Sequence, residues 1–399
     1  MEREPGNART RPKSRTGCVN CKRRKLKCDE TLPHCTRCQK AVLKCEYHIR
    51  PIHETSPSPT PKSPSPQPSS YLLDMELMHH YSTVVCNTLS CDPEIRPVFQ
   101  TLTVRAALKC DYLLKTVLAV AAVHMARSQP DKGDTYFATA LDYYQTALGA
   151  ANSSLANLKA ENDPEEAVNL WFFSSLTIVF VLGSPPQPTT HPSNEDPLFS
   201  STLFPDWLFL TRGTKSIRPM IPPETMSTLT SIYSARWNAM HPPAFSPSRE
   251  QDALQNLETL LTQNLQNDKA TLAIHLHATA VLRGIFHALS THGPEHLDIS
   301  DLFMWIHEVN DDFIPLLERP TQEALVVFAY FCVLLKRAEE WHCWLEGWGD
   351  LLMRRLRALV DGEHGAWIEW AVGEVEKGGK GVGWGVAAVG DGIQRGGGL

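Results

Sequence analysis

Six cysteines near the start of the chain constrain its fold more than any other feature. They follow the pattern C-x2-C-x6-C-x6-C-x2-C-x6-C, in which two halves repeat one spacing: Cys18, Cys21, Cys28, Cys35, Cys38 and Cys45. Zinc prefers four thiolate or imidazole ligands in a tetrahedron, so three cysteines per half are one short. The simplest closure is two zinc ions that share two cysteines. The pattern therefore predicts a binuclear zinc cluster.

This stretch is too short to bury an apolar core. Metal binding must supply its folding free energy, on the order of 10 kcal/mol or more for structural zinc. Disulfides of a secreted protein are the alternative, but we expect no signal segment, because the residues before the cysteines are polar and basic. The five remaining cysteines lack metal-ligand spacing and are expected to be buried thiols.

Positive charge is concentrated around the cysteines. Residues 1–50 contain 14 Lys and Arg against 5 Asp and Glu, a net of +9, whereas the rest of the chain has 24 against 39, a net of −15. Five basic residues stand between the second and third cysteine: Lys22, Arg23, Arg24, Lys25 and Lys27. Such a surface favours nucleic acid as the partner. A zinc-stabilised protein-interaction module, recruited to promoters by partners, remains the alternative.

The segment resembles the DNA-binding domain of fungal binuclear zinc cluster (Zn2Cys6) transcription factors. The resemblance rests on the cysteine pattern, on the KRRKLKC run after Cys21, and on Pro33 two residues before Cys35. It implies that Cys18 and Cys35 are the bridging ligands of the two zinc ions. It also implies a nuclear regulator of RNA polymerase II transcription, with double-stranded DNA and the transcription machinery as partners.

The same resemblance assigns roles to the basic run. Arg24 and Lys25 would stand at the end of a short helix that reads a CGG-like triplet in the major groove, where guanine offers O6 and N7 as paired acceptors. Lys22, Arg23 and Lys27 would mainly contact phosphates, which gives affinity without sequence information.

Composition and periodicity divide the chain further. Residues 51–70 contain seven prolines and six serines, and eleven of the 23 glycines fall between 373 and 399. The predicted organisation is mainly α: a basic N-terminal arm at 1–17, a Zn2Cys6 domain at 18–48, a Pro/Ser-rich disordered linker at 49–70, an all-α regulatory domain at 71–372, and a Gly-rich disordered tail at 373–399.

Helical periodicity dominates from Tyr71 onward, without strand alternation of comparable length. It predicts helices at 104–127, at 298–318 and at 322–346, as well as a helix from Pro164 to Gly183. The last of these contains the longest apolar run, which is too short and too polar for a membrane span and indicates a buried helix. The apolar stripe at 71–89 is too short for a coiled-coil dimerisation segment.

Four stretches of the helical region, at 75–90, 113–126, 209–217 and 311–349, resemble the regulatory domain of the fungal sterol uptake control type. That resemblance implies an apolar ligand such as a sterol, which would gate nuclear access. Six aromatic residues could form such a pocket or plain core, and helical spacing favours core: Phe328, Tyr330, Phe331, Trp341, Trp344 and Trp348.

Catalytic motifs are not found in the sequence. The histidine pairs at 79–80 and at 275 and 277 lack the carboxylate or metal partners of a site. Neither a phosphate-binding glycine loop nor a nucleophile elbow occurs. We therefore expect a protein that is not an enzyme.

Overall fold

The computed structural model describes residues 18–31, 35–41, 43, 45, 68–158, 163–184, 207–242, 244–293 and 296–378. The chain divides into two compact units, Met1–Pro66 and Gln67–Leu399. The predicted basic arm, Pro33 and most of the predicted linker and tail lie outside the described residues. Within the described ranges the regular structure is helical and contains no strand. The mainly α fold class is therefore confirmed.

The first unit contains two short helices, α1 (Val19–Arg23) and α2 (Thr36–Lys40). Each follows a cysteine in extended backbone conformation, Cys18 or Cys35, whose sulfur accepts a hydrogen bond from a backbone N–H of the first turn. Since the same two residues cap the helices and belong to the cysteine pattern, the cysteine spacing determines where both helices begin.

The second unit is a bundle of helices. Its α-helical segments are, in chain order, α3 (Pro68–His80), α4 (Cys86–Thr88), α5 (Thr103–Ala107), α6 (Asp111–Ser128), α7 (Gly133–Asn157), α8 (Pro164–Gly183), α9 (Trp207–Ile217), α10 (Pro223–Met240), α11 (Arg249–Asn264), α12 (Lys269–His292), α13 (Ile299–Glu308), α14 (Ile314–Glu318), α15 (Gln322–Ala338), α16 (Trp348–Leu359), α17 (Gly362–Gly365) and α18 (Glu369–Lys377). Short π and 3-10 turns occur at Tyr81–Val85, Val98–Leu102, Pro130–Lys132, Arg218–Met220, Cys343–Leu345 and Ala366–Ile368.

Side-chain caps determine where several of these helices begin. Asp163 accepts a hydrogen bond from the Glu166 N–H, and Pro164 occupies the first turn of α8, where its missing N–H has no cost. Ser248, Asp268 and Thr321 cap α11, α12 and α15 in the same way. The predicted start of α8 at Pro164 and its end at Gly183 are confirmed.

Two helices are central to the bundle. In α6 every residue from Thr116 to Met125 is buried, and in α15 every residue from Ala324 to Lys336 is buried. A helix that is apolar on all sides requires neighbours on all sides. The helix α6 packs mainly against α7 and α8, whereas α15 packs mainly against α16 and α18.

Two tryptophans join these parts of the bundle. The Trp344 indole N–H donates to the Thr88 hydroxyl at 2.9 Å, and the Trp348 indole N–H donates to the Leu182 carbonyl at 3.0 Å. Both side chains are fully buried. The hydrogen bonds therefore anchor large core residues to α4 and α8 without leaving a buried donor unsatisfied.

Two described helices, α8 and α12, are long and apolar enough to cross a membrane by length and composition alone. In the fold, 67% of the most apolar window of α8 and 50% of that of α12 are buried inside the protein. Core helices have this character. The burial of α8 supports its interpretation as a buried helix.

Three predicted helices are shorter than expected. The helix predicted at 104–127 is broken between α5 and α6, where Cys110 is extended (φ −133°, ψ 108°) and Leu108 is 68% exposed. The helix predicted at 298–318 is two helices, because a turn follows Glu308 and Pro315 favours a new helix start. In both cases apolar residues continue at three- and four-residue spacings in the sequence across the break.

The helix predicted at 322–346 ends at Ala338. The chain then turns, and Gly347 adopts a left-handed conformation (φ 79°) directly before α16. This turn leaves Trp341 about half exposed, although Trp344 and Trp348 are buried. Periodicity alone could not detect the turn, because aromatic residues occupy it as densely as the helix before it.

The predicted domain boundaries differ from the described helices at two places. The first helix of the second unit begins at Pro68, within the predicted linker, since proline is favoured in a first turn. The last helix continues to Lys377, beyond the predicted start of the tail, because Ala371 and Val375 are buried against the core. The apolar stripe after the linker is also occupied within the bundle, since Leu77 and Tyr81 are fully buried.

Two helical glycines provide a test of the packing. A Cβ at Gly284 would lie 2.5 Å from the Met240 carbonyl oxygen, whereas a Cβ at Gly149 on α7 would meet nothing within 4 Å. We expect Gly149→Ala to raise the free energy of unfolding by about 0.5–1 kcal/mol, because alanine favours the helix. We expect Gly284→Ala to lower it by about 1–3 kcal/mol, because α12 must move away from backbone. Denaturant unfolding of both variants measures the difference, and equal stabilisation by both would contradict the close approach.

Candidate metal centre and nucleic-acid interface

The two halves of the cysteine cluster repeat one backbone arrangement. The Cys21 N–H approaches the Cys18 sulfur at 3.5 Å, and the Cys38 N–H approaches the Cys35 sulfur at 3.4 Å. The N–H groups of Cys18 and Cys35 also donate, each at 3.4 Å, to the sulfur of the third cysteine in their own half. The repeat in the sequence is therefore a repeat in space.

All six cysteine sulfurs converge at the centre of this unit. Two groups of four have their sulfur atoms within 4.8 Å of one another: Cys18, Cys21, Cys28 and Cys35, and Cys18, Cys35, Cys38 and Cys45. Two sulfurs, those of Cys18 and Cys35, belong to both groups. The six cysteines are at most 8% exposed, although this unit contains no other buried apolar side chain among its described residues.

The distances between sulfurs fit tetrahedral zinc. The Cys18 sulfur lies 3.7 Å from that of Cys35 and 3.6 Å from that of Cys38, and the Cys21 sulfur lies 3.7 Å from that of Cys35. A tetrahedron with zinc–sulfur bonds of about 2.3 Å has an edge of about 3.8 Å. All eleven cysteines of the chain are free thiols in the structure, and a disulfide would require sulfurs about 2.05 Å apart.

Burial and backbone N–H groups act in opposite directions on the cysteine thiols. Backbone N–H groups lower the pKa of two thiols: the Cys38 N–H acts on Cys35, and the Cys35 N–H acts on Cys45. Burial raises the pKa of Cys18, Cys21 and Cys38. Buried thiolates need a cation to compensate their charge, and zinc supplies that charge when it binds.

The predicted DNA-contacting residues lie on the surface of the first half. Lys22, Arg23, Arg24, Lys25 and Lys27 are all exposed. Arg24 is the C-terminal cap of α1, and Lys25 follows it in a left-handed conformation (φ 53°), which ends the helix. The structure thus brings these five basic residues together at one end of α1, beside the buried sulfurs.

The second half keeps only part of this basic set. A shift of 17 residues superposes the two cysteine patterns. It places Gln39 opposite Lys22, Ala41 opposite Arg24 and Val42 opposite Lys25, whereas the counterparts of Arg23 and Lys27 are also lysines, at 40 and 44. Both halves close their helices alike, since Leu26 and Leu43 donate to the carbonyls of the second cysteine in their own half. The backbones are therefore similar, and the charged side chains differ.

Sequence reasoning missed two basic residues on α2. Arg37 and Lys40 are exposed and line a shallow concavity together with Arg24 and Asp29. The Asp29 carboxylate accepts hydrogen bonds from the Thr36 N–H at 3.1 and 3.3 Å, which join the two halves. Hydrogen bonding by the Thr36 side chain, and then by its backbone, lowers the pKa of Asp29. The spacing of Arg37 and Lys40, three residues apart on a helix, was the available signal.

Most of the aromatic residues singled out in the sequence are core. Phe328, Phe331, Trp344 and Trp348 are fully buried, and Phe331 stacks on Trp305 with ring centroids 4.4 Å apart. Trp341 is about half exposed. The burial of the other residues supports their interpretation as plain core.

The two histidine pairs do not form a site with catalytic geometry. His80 Nε2 lies 3.0 Å from His124 Nδ1, and burial lowers the pKa of His124 to about 3. His277 Nε2 lies 3.4 Å from Glu308, with both side chains about half exposed. The first contact is a part-buried hydrogen bond between two rings, and the second is a contact at the protein surface.

Comparison with known proteins matches both units. Residues 16–52 match the fungal Zn(2)-Cys(6) binuclear cluster domain, which binds two zinc ions, and residues 76–181 match the fungal specific transcription factor domain. Transcription factors of this kind are not enzymes. No solved structure matches.

Three relatives illustrate the range of similarity. A Zn(2)-C6 fungal-type transcription factor, afumD of Aspergillus fumigatus, is 31% identical over 130 residues, which are 30% of this chain and 35% of the relative. A Zn(2)-C6 fungal-type transcription factor of Gibberella zeae is 26% identical over 210 residues, 36% of this chain and 43% of the relative. Sterol uptake control protein 2 of Saccharomyces cerevisiae is 48% identical over 48 residues, 12% of this chain and 5% of the relative. The matched segments thus cover less than half of the first two relatives.

The shared sulfurs lead to a prediction for metal content. We expect Cys45→Ser to lose one of two zinc ions, because Cys45 belongs to one group of four sulfurs. We expect Cys18→Ser to lose both, because Cys18 belongs to both groups. Native mass spectrometry of the intact protein counts the ions in each variant. Retention of one ion by Cys18→Ser together with loss of both by Cys45→Ser would contradict this assignment of the shared sulfurs.

Proposed function

From a chain that carries a fungal Zn(2)-Cys(6) binuclear cluster domain and a fungal specific transcription factor domain, we propose a nuclear, sequence-specific regulator of RNA polymerase II transcription. Its six cluster cysteines bind two zinc ions, with Cys18 and Cys35 shared between them. The observation that carries the proposal is the exposed basic end of α1, which stands beside a buried, anionic group of sulfurs.

The charge of the cluster explains why the basic residues are needed. Six thiolates and two zinc ions sum to −2, a charge that repels phosphate. Five exposed cations within one loop reverse that sign at the surface. Lys22, Arg23 and Lys27 contact phosphates, and each phosphate neutralised releases counterions from DNA. The zinc core acts as a rigid support and takes no direct part in base recognition.

Base recognition is assigned to Arg24 and Lys25, at the end of α1. Both side chains are exposed, and the left-handed backbone at Lys25 ends the helix there, so neither is enclosed by a following turn. Guanine presents O6 and N7 in the major groove, and basic side chains recognise this pair of acceptors. A CGG-like triplet is the element that such contacts favour. The second half has Ala41 and Val42 at the matching sequence positions and cannot make the same contacts.

Control of this activity is assigned to the helical unit. Residues 76–181 of this unit match the fungal specific transcription factor domain. The sterol interpretation is not carried further, because its aromatic residues are packed core and the match to sterol uptake control protein 2 extends over 48 residues.

The experiment is DNA binding by the zinc-loaded full chain, measured by fluorescence anisotropy with CGG-containing and scrambled duplexes. Lys25→Gly is the sharpest variant, because glycine removes the amine and accepts the left-handed backbone without strain. We expect it to weaken binding to CGG duplex by about 1–3 kcal/mol and to leave binding to scrambled duplex nearly unchanged.

Lys22→Ala is the matched control. Since Lys22 is assigned to phosphate, this variant should weaken both duplexes alike and reduce the salt slope by about one unit. Identical behaviour of the two variants would show that the roles of Lys22 and Lys25 are wrong. Equal affinity of the unaltered protein for both duplexes would refute sequence-specific recognition and favour the zinc-stabilised interaction module.

A further inference from the structure

The helical unit contains a cavity that the DNA-binding function does not use. Its volume is about 210 Å³, and it lies between α8, α9, α10 and α13. The turn after α4, at Leu89 and Ile95, closes one side. Ligand sites of drug-sized molecules are concave, mostly apolar and of about 300–1000 Å³. The cavity is smaller than such a site, so it suits a small ligand rather than a drug-sized one.

The walls of the cavity are mainly apolar. Trp171, Ile178 and Val179 of α8 line one wall, and Phe303 and Met304 of α13 line another. None of these residues belongs to the aromatic set at 328–348 that the sequence singled out. The apolar lining favours a ligand whose body is hydrocarbon.

A buried charge network holds one side of the cavity in place. The Arg236 guanidinium donates to both Asp301 carboxylate oxygens, at 2.7 and 2.6 Å, and to Asp92 at 2.9 Å. These bonds join α10 and α13 to the turn after α4. Bidentate pairing between an arginine and a carboxylate stabilises the contact and also restrains the relative orientation of the two side chains. The cavity is therefore formed by the fold itself, without requiring a ligand to shape it.

The lining contains three side chains that carry or readily accept charge: Arg218, Asp298 and His307. The Asp298 carboxylate is already hydrogen-bonded within the protein. It accepts hydrogen bonds from Ser90 Oγ, the Cys91 N–H and the Ser300 N–H. Its negative charge is therefore compensated within the fold, and it offers little to a ligand.

Arg218 differs from Asp298 in this respect. Among the described residues its guanidinium has no hydrogen-bond or ion-pair partner, whereas the neighbouring Lys215 pairs with Asp311. Burial lowers the pKa of His307, and the positive charges of Lys215 and Arg218 lower it further. Arg218 is therefore the cation of the lining that is open to a ligand, at the exposed edge of the cavity, and a carboxylate is its complement.

We propose that this cavity binds a small amphipathic carboxylic acid, whose hydrocarbon body lies against α8 and α13 and whose carboxylate pairs with Arg218. The pairing is a charge-assisted hydrogen bond at the rim of an apolar site.

The test uses the zinc-loaded full chain and isothermal titration calorimetry with two probes, decanoate and methyl decanoate. The probes share a hydrocarbon body and differ in charge. We expect decanoate to bind at least tenfold more tightly than the ester. Arg218→Gln should abolish that preference and leave the affinity for the ester unchanged.

Two further variants keep the test decisive. Arg212→Gln is the matched control. Arg212 follows Thr211, a lining residue of α9, but does not itself line the cavity, and it pairs with Glu318. It should bind decanoate as the unaltered protein does. Val179→Trp fills the cavity and should lose both probes, with Met304→Trp as a second filling variant if the first fails to fold.

Each outcome decides the proposal. Equal affinity for the two probes, or an unchanged preference in Arg218→Gln, overturns the role of the carboxylate. Absence of binding by either probe, or full binding to a folded cavity-filling variant, overturns the site. DNA binding measured on the same samples reports separately on the first unit, so its failure cannot be mistaken for failure of the cavity.

Discussion

Two sulfur atoms, those of Cys18 and Cys35, are the constraint on which the first unit depends. They belong to both groups of four sulfurs, so six cysteines suffice for two tetrahedral sites. They also cap α1 and α2. A segment with no other buried apolar residue among those described has little else to stabilise it. The same pair of atoms therefore links metal binding, helix starts and the position of the exposed basic residues.

The cysteine cluster could be predicted from the sequence because its geometry is local. Spacings of two and six residues place the ligands with little freedom, and zinc has strong geometric preferences. The helical unit was predictable in its element type but less so in its breaks. At Cys110 and after Glu308 the apolar period runs through the turn unchanged, so periodicity gave no sign of either. The end of α15 at Ala338 was missed for a related reason, since the turn itself is aromatic.

The cavity could not be predicted from the sequence. Its lining comes from segments between Leu89 and His307, and no pair of neighbouring helices contains more than part of it. The sequence singled out aromatic residues at helical spacing, which pack against one another. The cavity is instead bounded by residues such as Val179 and Met304, whose types are ordinary for any core. What distinguishes the site is Arg218, which has no hydrogen-bond or ion-pair partner among the residues that the structure describes, beside apolar walls. That juxtaposition exists only in three dimensions.

The two halves of the cluster show how such a unit can separate its stability from its specificity. They share capping cysteines, N–H to sulfur contacts and closing backbone hydrogen bonds, yet Lys22 and Arg24 correspond to Gln39 and Ala41. Structural zinc contributes on the order of 10 kcal/mol to folding, so exposed positions contribute little to stability. Those positions are then free to vary with the partner. One half can carry the cations that are proposed to contact DNA, while both halves supply the sulfurs of the metal sites.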